Sequence, residues 1–236
     1  MAKDRVKLDK YGRIELSGHI IVPLIICGIF FLTAGRIDQY RYWIWTLTTI
    51  LYYIGGMMIL LRFNPLLLNE RGGINRKKDS KKWDKILLNV FALVGLYGHI
   101  VLMGLDAGRY GWSGLQKGTI IPGLILYALA FLLVYWSMAV NTHFETTVRI
   151  QHDRNHKVIS NGPYRFIRHP GYLGLILINF ASTMIIGSAY GFITACGTFL
   201  VLGIRTLLED RTLTDELEGY EQYTKDTRYR LIPFLW

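Results

Sequence analysis

LGLILINFASTMIIGSAYGFITACGTFLVLGI, residues 173 to 204, decides how the rest of the chain is read. It is too long for one membrane helix, which needs about 20 apolar residues. GSAYG at 187–191 interrupts it with turn-forming residues, so it reads as two short helices joined by a tight turn. Upstream, apolar runs long enough to cross a bilayer lie at 18–35, 43–61, 86–105 and 119–140. Four spans and a hairpin make about six transmembrane helices, and the expected fold is an all-α polytopic membrane protein.

The charges test that count. Along the segments left between these spans, Lys and Arg number five, two, eight, two, five, none and five, which accounts for all 27. Alternate segments therefore hold 23 against 4, and the positive-inside rule puts both termini in the cytoplasm. Five spans would leave the basic tail on the wrong side. The net charge of +10 is spread over the cytoplasmic segments, where topology and anionic headgroups account for it; nucleic acid is not expected. Cys27 and Cys196 both sit in apolar segments, so neither a disulfide framework nor a metal cluster is expected. The first run follows 17 polar and charged residues without a small-residue cleavage pattern and reads as an anchor.

With no internal repeat or long linker, one structural domain is expected, divided into transmembrane helices 1–4 over 1–140 and a cytoplasm-facing region over 141–236 that includes the hairpin. The segment 64–85 reads as a solvated anchoring loop with an interfacial Trp83. Alternation in TTVRI and KVIS allows short extended pieces between 141 and 167. The tail reads as helical to about Leu217, breaks at Gly219 and ends in RYRLIPFLW on the membrane face.

Chemistry concentrates in NGPYRFIRHPGYLG, residues 161–174. Pro170 suits the first turn of a helix, whose free N–H groups at Gly171, Tyr172 and Leu173 would favour a carboxylate or phosphate. The glycine leaves room for a ligand to approach the backbone. The turn at Gly162 and Pro163 would fold Tyr164 and His169 toward the same point. In the second half, Arg205 and Glu209 lie one turn apart on one helix face at a membrane edge, where ionisable side chains favour a wet cavity over lipid. A fixed cation beside a fixed anion suits a ligand carrying both charges. Tyr220, Tyr223, Arg228 and Arg230 read as interfacial. His99 and Asp106 read as a packed histidine and a headgroup-level aspartate, with a substrate tunnel as the alternative.

GPYRFIRHPGYLG, RTLLED and YEQYTKDTRYRLIP together resemble the isoprenylcysteine carboxyl methyltransferase family of integral membrane enzymes, over roughly 150–236. The resemblance implies S-adenosylmethionine as cofactor, held by Gln151, His156, Val158, Ile159, Tyr164, the turn His169, Pro170, Gly171 and Tyr172, and Glu209. It implies Arg205 as the residue that meets the substrate, with Arg205 and Glu209 as the catalytic pair. Glu209-Asp210 stands where relatives often carry paired glutamates. The expected reaction is O-methylation of a carboxylate on a lipidic small molecule or lipidated peptide, within a bacterial or archaeal cell membrane and at its cytoplasmic face. A carboxylate nucleophile is already ionised near neutrality, so no general base is required, and Arg205 would grip it by paired N–H bonds. A phospholipid amine methyltransferase ranks second because a lone Arg205 would repel an ammonium headgroup. An NADPH-dependent sterol-reductase-like enzyme and a non-enzymatic membrane scaffold are further alternatives.

Overall fold

The computed structural model describes residues 7–73 and 79–236. Among the described residues it is helical without strands. α1 (Lys10–Ala34) and α2 (Tyr40–Phe63) form an antiparallel pair, and the short α3 (Pro65–Gly72) folds back against α1. α4 (Lys82–Tyr110) is one long rod with two π-helical stretches, Ala92–Gly98 and Gly104–Tyr110. α5 (Ile120–Val140) packs along α6 (Pro170–Ile186), and α7 (Gly191–Glu216) returns beside α6 before the small α8 (Tyr220–Asp226). Five of the rods are long and apolar enough to cross a membrane. α6, at 17 residues, is apolar but shorter. The polytopic all-α expectation holds.

Several local expectations are corrected. α1 begins at Lys10, well before its apolar run, because the Asp9 carboxylate accepts the Tyr11 and Gly12 N–H groups at 2.8 Å each. The two helices after residue 170 are not both short. α7 runs 26 residues and carries its charged end out of the apolar layer without a break. The segment 64–85 is not a solvated loop where it is described: Leu67, Leu68 and Asp84 are fully buried. Residues 74–78 of that segment lie outside the described residues. TTVRI and KVIS form no ladder, and the only regular pieces between α5 and α6 are 3-10 turns at His152–Arg154 and Gly162–Arg165.

Close approach of α5 and α6 depends on Gly174, where an added Cβ would lie 2.6 Å from Val134 and 3.0 Å from the Ala130 carbonyl. At the opposite end of the bundle from the 141–169 segment, two charged side chains brace the helix ends. Arg41 donates to the Met184 and Ile185 carbonyls at 2.7 and 2.8 Å, capping the C-terminus of α6. Asp106 is fully buried rather than at headgroup level; it accepts the Ser113 and Ser188 hydroxyls and ties the α6–α7 turn to the end of α4. His99 is packed as expected, its Nδ1 2.7 Å from the Thr194 hydroxyl, and it also lines a mainly apolar cavity between the helices.

Candidate functional site

A cleft opens where the start of α6, the last turns of α7, the segment 141–169 and α8 meet, and it encloses about 800 Å³ of empty space, part of it open to solvent. Gln151, His156, Val158, Ile159, Tyr164, His169, Gly171, Tyr172, Arg205 and Glu209 all line it. Pro170 shapes it from behind as the first residue of α6. Residues far apart in sequence are thus brought to one wall, with α6 presenting Tyr172 toward the Arg205–Glu209 face of α7.

The polar contacts divide these residues by task. Glu209 is half-buried and accepts a short hydrogen bond from the Tyr172 hydroxyl. Arg205 lies over the Tyr172 ring, 5.0 Å from its centroid, so tyrosine face, guanidinium and carboxylate form one assembly. Arg205 does not present an open fork. Its Nε and Nη2 donate to the two oxygens of Asp84 at 2.7 and 3.3 Å, and Nη2 also donates to the Thr146 carbonyl at 2.6 Å. Asp84, in the first turn of α4, additionally accepts the Val148 N–H at 2.7 Å. The residue that fills Arg205 therefore comes from the segment read as a solvated loop.

Asp210 plays a different part from its neighbour. Buried behind the cleft wall, it faces Arg168 at 3.1 Å, His169 Nε2 at 3.3 Å, the Tyr220 hydroxyl at 2.9 Å and Arg230 Nε at 2.9 Å. The backbone repeats the clamp: Arg168 and His169 N–H donate to the Tyr229 and Arg230 carbonyls, each at 2.9 Å. Tyr220 and Tyr223 are consequently buried cleft residues, not interfacial ones, and Tyr223 donates to the Tyr164 carbonyl at 2.7 Å. Arg230 likewise belongs to the clamp. His169, expected at the ligand, lines the cleft with its ring stacked on Tyr172 while its Nε2 is turned to Asp210.

The helix start is less open than expected. Tyr172 and Leu173 N–H both turn back to the His169 carbonyl, at 3.1 and 3.3 Å. The space over Gly171 is taken by the Phe144 ring, 2.6 Å from where a Cβ would stand. Gln151 is buried and its amide serves the loop: it donates to the His143 carbonyl at 2.8 Å and its oxygen receives Arg154 at 2.8 Å. Arg149, bound to Glu145 and Asp153, pins the same loop at 2.9 and 2.8 Å. The His143 and His156 rings lie against each other at a tilt of 37°, with 4.4 Å between their centroids. Burial lowers the pKa of both, and with His143 beside it His156 falls to about 4, so both rings are neutral at physiological pH.

Residues 119–218, which span α5 to α7 and include this wall, match the sequence model of the phospholipid methyltransferase family. This stretch of the chain is thus similar to an integral membrane methyltransferase domain. That family shares a superfamily with the isoprenylcysteine carboxyl methyltransferases, which is how far the resemblance in the motif reaches, and its members generally use S-adenosylmethionine. The match covers 100 of the 236 residues and leaves Asp84, Tyr220, Tyr223 and the clamped tail outside it. No curated protein matches the sequence.

Proposed function

We propose that the protein transfers a methyl group from S-adenosylmethionine to an amine on a membrane lipid. The cleft residues fit the cofactor. Val158 and Ile159 offer an apolar wall for a purine; Tyr164, Tyr172 and the Glu209 carboxylate suit a sulfonium. Arg168 Nε is buried with no partner among the described residues, an unmet donor that the carboxylate of an amino acid moiety would satisfy. Bound there, the cofactor supplies an electrophilic methyl on a positively charged sulfur.

The choice of acceptor rests on one observation, the closure of Arg205 by Asp84. An unpaired arginine would repel an ammonium headgroup and grip a carboxylate, which is why the sequence alone favours an ester product. With two of its nitrogens on Asp84 and one also on the Thr146 carbonyl, that grip is already filled and its charge compensated. The carboxylate left facing the cleft is Glu209. It attracts an ammonium group and can hold the proton that an amine must lose before its lone pair attacks. Neutral His143 and His156 add no opposing charge. The protein's main contribution is alignment, holding nucleophile and methyl at about 3–3.5 Å in a dry cleft.

The test uses purified protein in nanodiscs of extracted lipid with deuteromethyl-labelled donor, followed by mass spectrometry before and after mild alkali. Label on a lipid amine that stays on nitrogen through the alkali, in the headgroup released as the acyl esters saponify, is the expected result. Label lost as methanol would identify an ester and restore the carboxylate reading.

A further inference from the structure

The charge partner of Arg205 lies 121 residues away in sequence, in a segment with no part in the family match. Asp84 has no exposed surface and makes three accepting bonds, two from Arg205 and one from the Val148 N–H. A buried carboxylate is costly unless matched, and an arginine facing a cleft would by itself be a ready carboxylate receptor. The pairing does both things at once: it shelters Asp84 and withdraws the arginine fork from any ligand in the cleft. Thr146 and Val148, which hold the two partners, both belong to the segment 141–150, most of whose residues line the same cleft.

We infer that Asp84 is a specificity-determining residue that sets which class of nucleophile the cleft accepts, by keeping the Arg205 fork closed to carboxylates. It touches no reacting atom. Its effect passes through Arg205, and through the Tyr172 ring beneath that guanidinium to Glu209. The inference rests on the amine reading above for its direction. The dependence of acceptor class on Asp84 is measurable whichever acceptor the wild type prefers.

The experiment is a competition. Full-length wild type, Asp84→Asn, Asp84→Ser and the double variant Asp84→Asn/Arg205→Met are placed in nanodiscs holding equal amounts of phosphatidylethanolamine and oleic acid, with deuteromethyl donor. The ratio of methyl oleate to N-methyl lipid is read by mass spectrometry, and donor affinity is measured alongside. Both Asp84 variants keep an oxygen for the Val148 N–H while removing the charge. Each should raise the ester-to-amine ratio by about tenfold or more, as expected when a like charge is unmasked against one ligand and a fork is offered to the other. Donor affinity should stay within about threefold, and a purely structural role would not separate these two readouts. The double variant, neutral again, should return the ratio to within about threefold of wild type, as coupled charges require. An unchanged ratio in folded Asp84→Asn and Asp84→Ser overturns the role of Asp84 and leaves the amine reading standing. Wild type that makes the ester overturns the amine reading, while a ratio that still rises in the variants upholds Asp84. Failure of both single variants to fold makes Asp84 a structural residue and overturns the inference.

Discussion

Removing the Asp210 carboxylate should detach the tail from the cleft wall and destabilise the fold, even though the residue beside it can be changed cheaply. Asp210 is 4 % exposed and meets two arginines, a histidine and a tyrosine hydroxyl. In Asp210→Ala, Arg168 loses the one charge partner it has among the described residues while remaining buried, with its Nε unmet among those residues. Breaking a buried ion pair from one side costs about 3–5 kcal/mol. For a chain of this size each kcal/mol moves the unfolding midpoint by about 2–4 °C, so a drop of about 10 °C is expected. Asp210→Asn keeps the shape and some of the hydrogen bonds and should lose about half as much. The assay is thermal unfolding in nanodiscs together with hydrogen exchange over residues 228–232, whose carbonyls at Tyr229 and Arg230 hold the Arg168 and His169 N–H groups. A midpoint within about 1 °C of wild type, with exchange in the tail unchanged, would refute the clamp. The chain would then owe the burial of Tyr220 to apolar packing alone.

Much of this arrangement is legible in the chain before any coordinates. Apolar runs are strong signals because the bilayer imposes them on every pass. The wall from His169 to Tyr172 and the Arg205–Glu209 face are legible because proline, aromatic and ionisable residues stand out at a membrane edge. What stays hidden has a common cause: its meaning lies in a partner distant in sequence. Asp84 sits among lysines at 81, 82 and 85 and reads as one more solvated charge until the fold sets it against Arg205. Tyr220 and Tyr223 read as interfacial for the same reason, since Asp210 and the Tyr164 carbonyl are what bury them. The adjacent acids Glu209 and Asp210 look interchangeable in the sequence. One turns to the cleft and the other to the clamp because successive helical residues point about 100° apart.

Glu209→Ala should abolish donor binding in equilibrium measurements while leaving the unfolding midpoint within about 2 °C, because Glu209 is half-buried and its hydrogen-bond donor, Tyr172, is a neutral hydroxyl. Donor affinity equal to wild type would remove Glu209 from the site. Gly174→Val should destabilise by about 1–3 kcal/mol through overpacking against Val134 and the Ala130 carbonyl, read as a lower unfolding midpoint; a neutral result would show that α5 and α6 separate freely. His156 should titrate in carbon-13 NMR with a midpoint near 4 rather than near its ordinary value of 6.5. Its folded pKa is the lower one, so between those two values the unfolded chain binds a proton that the folded ring refuses. Stability should therefore be fully present above pH about 6.5 and decline as pH falls toward 4, and His156→Phe should flatten that part of the pH profile. Burial is the main cause of the shift and the neighbouring His143 the second, so His143→Phe should raise the His156 midpoint only in part. A midpoint that stays near 6.5 in the wild type would mean that the cleft is wet at the paired histidines, and that its electrostatics at neutral pH are not those of two uncharged rings.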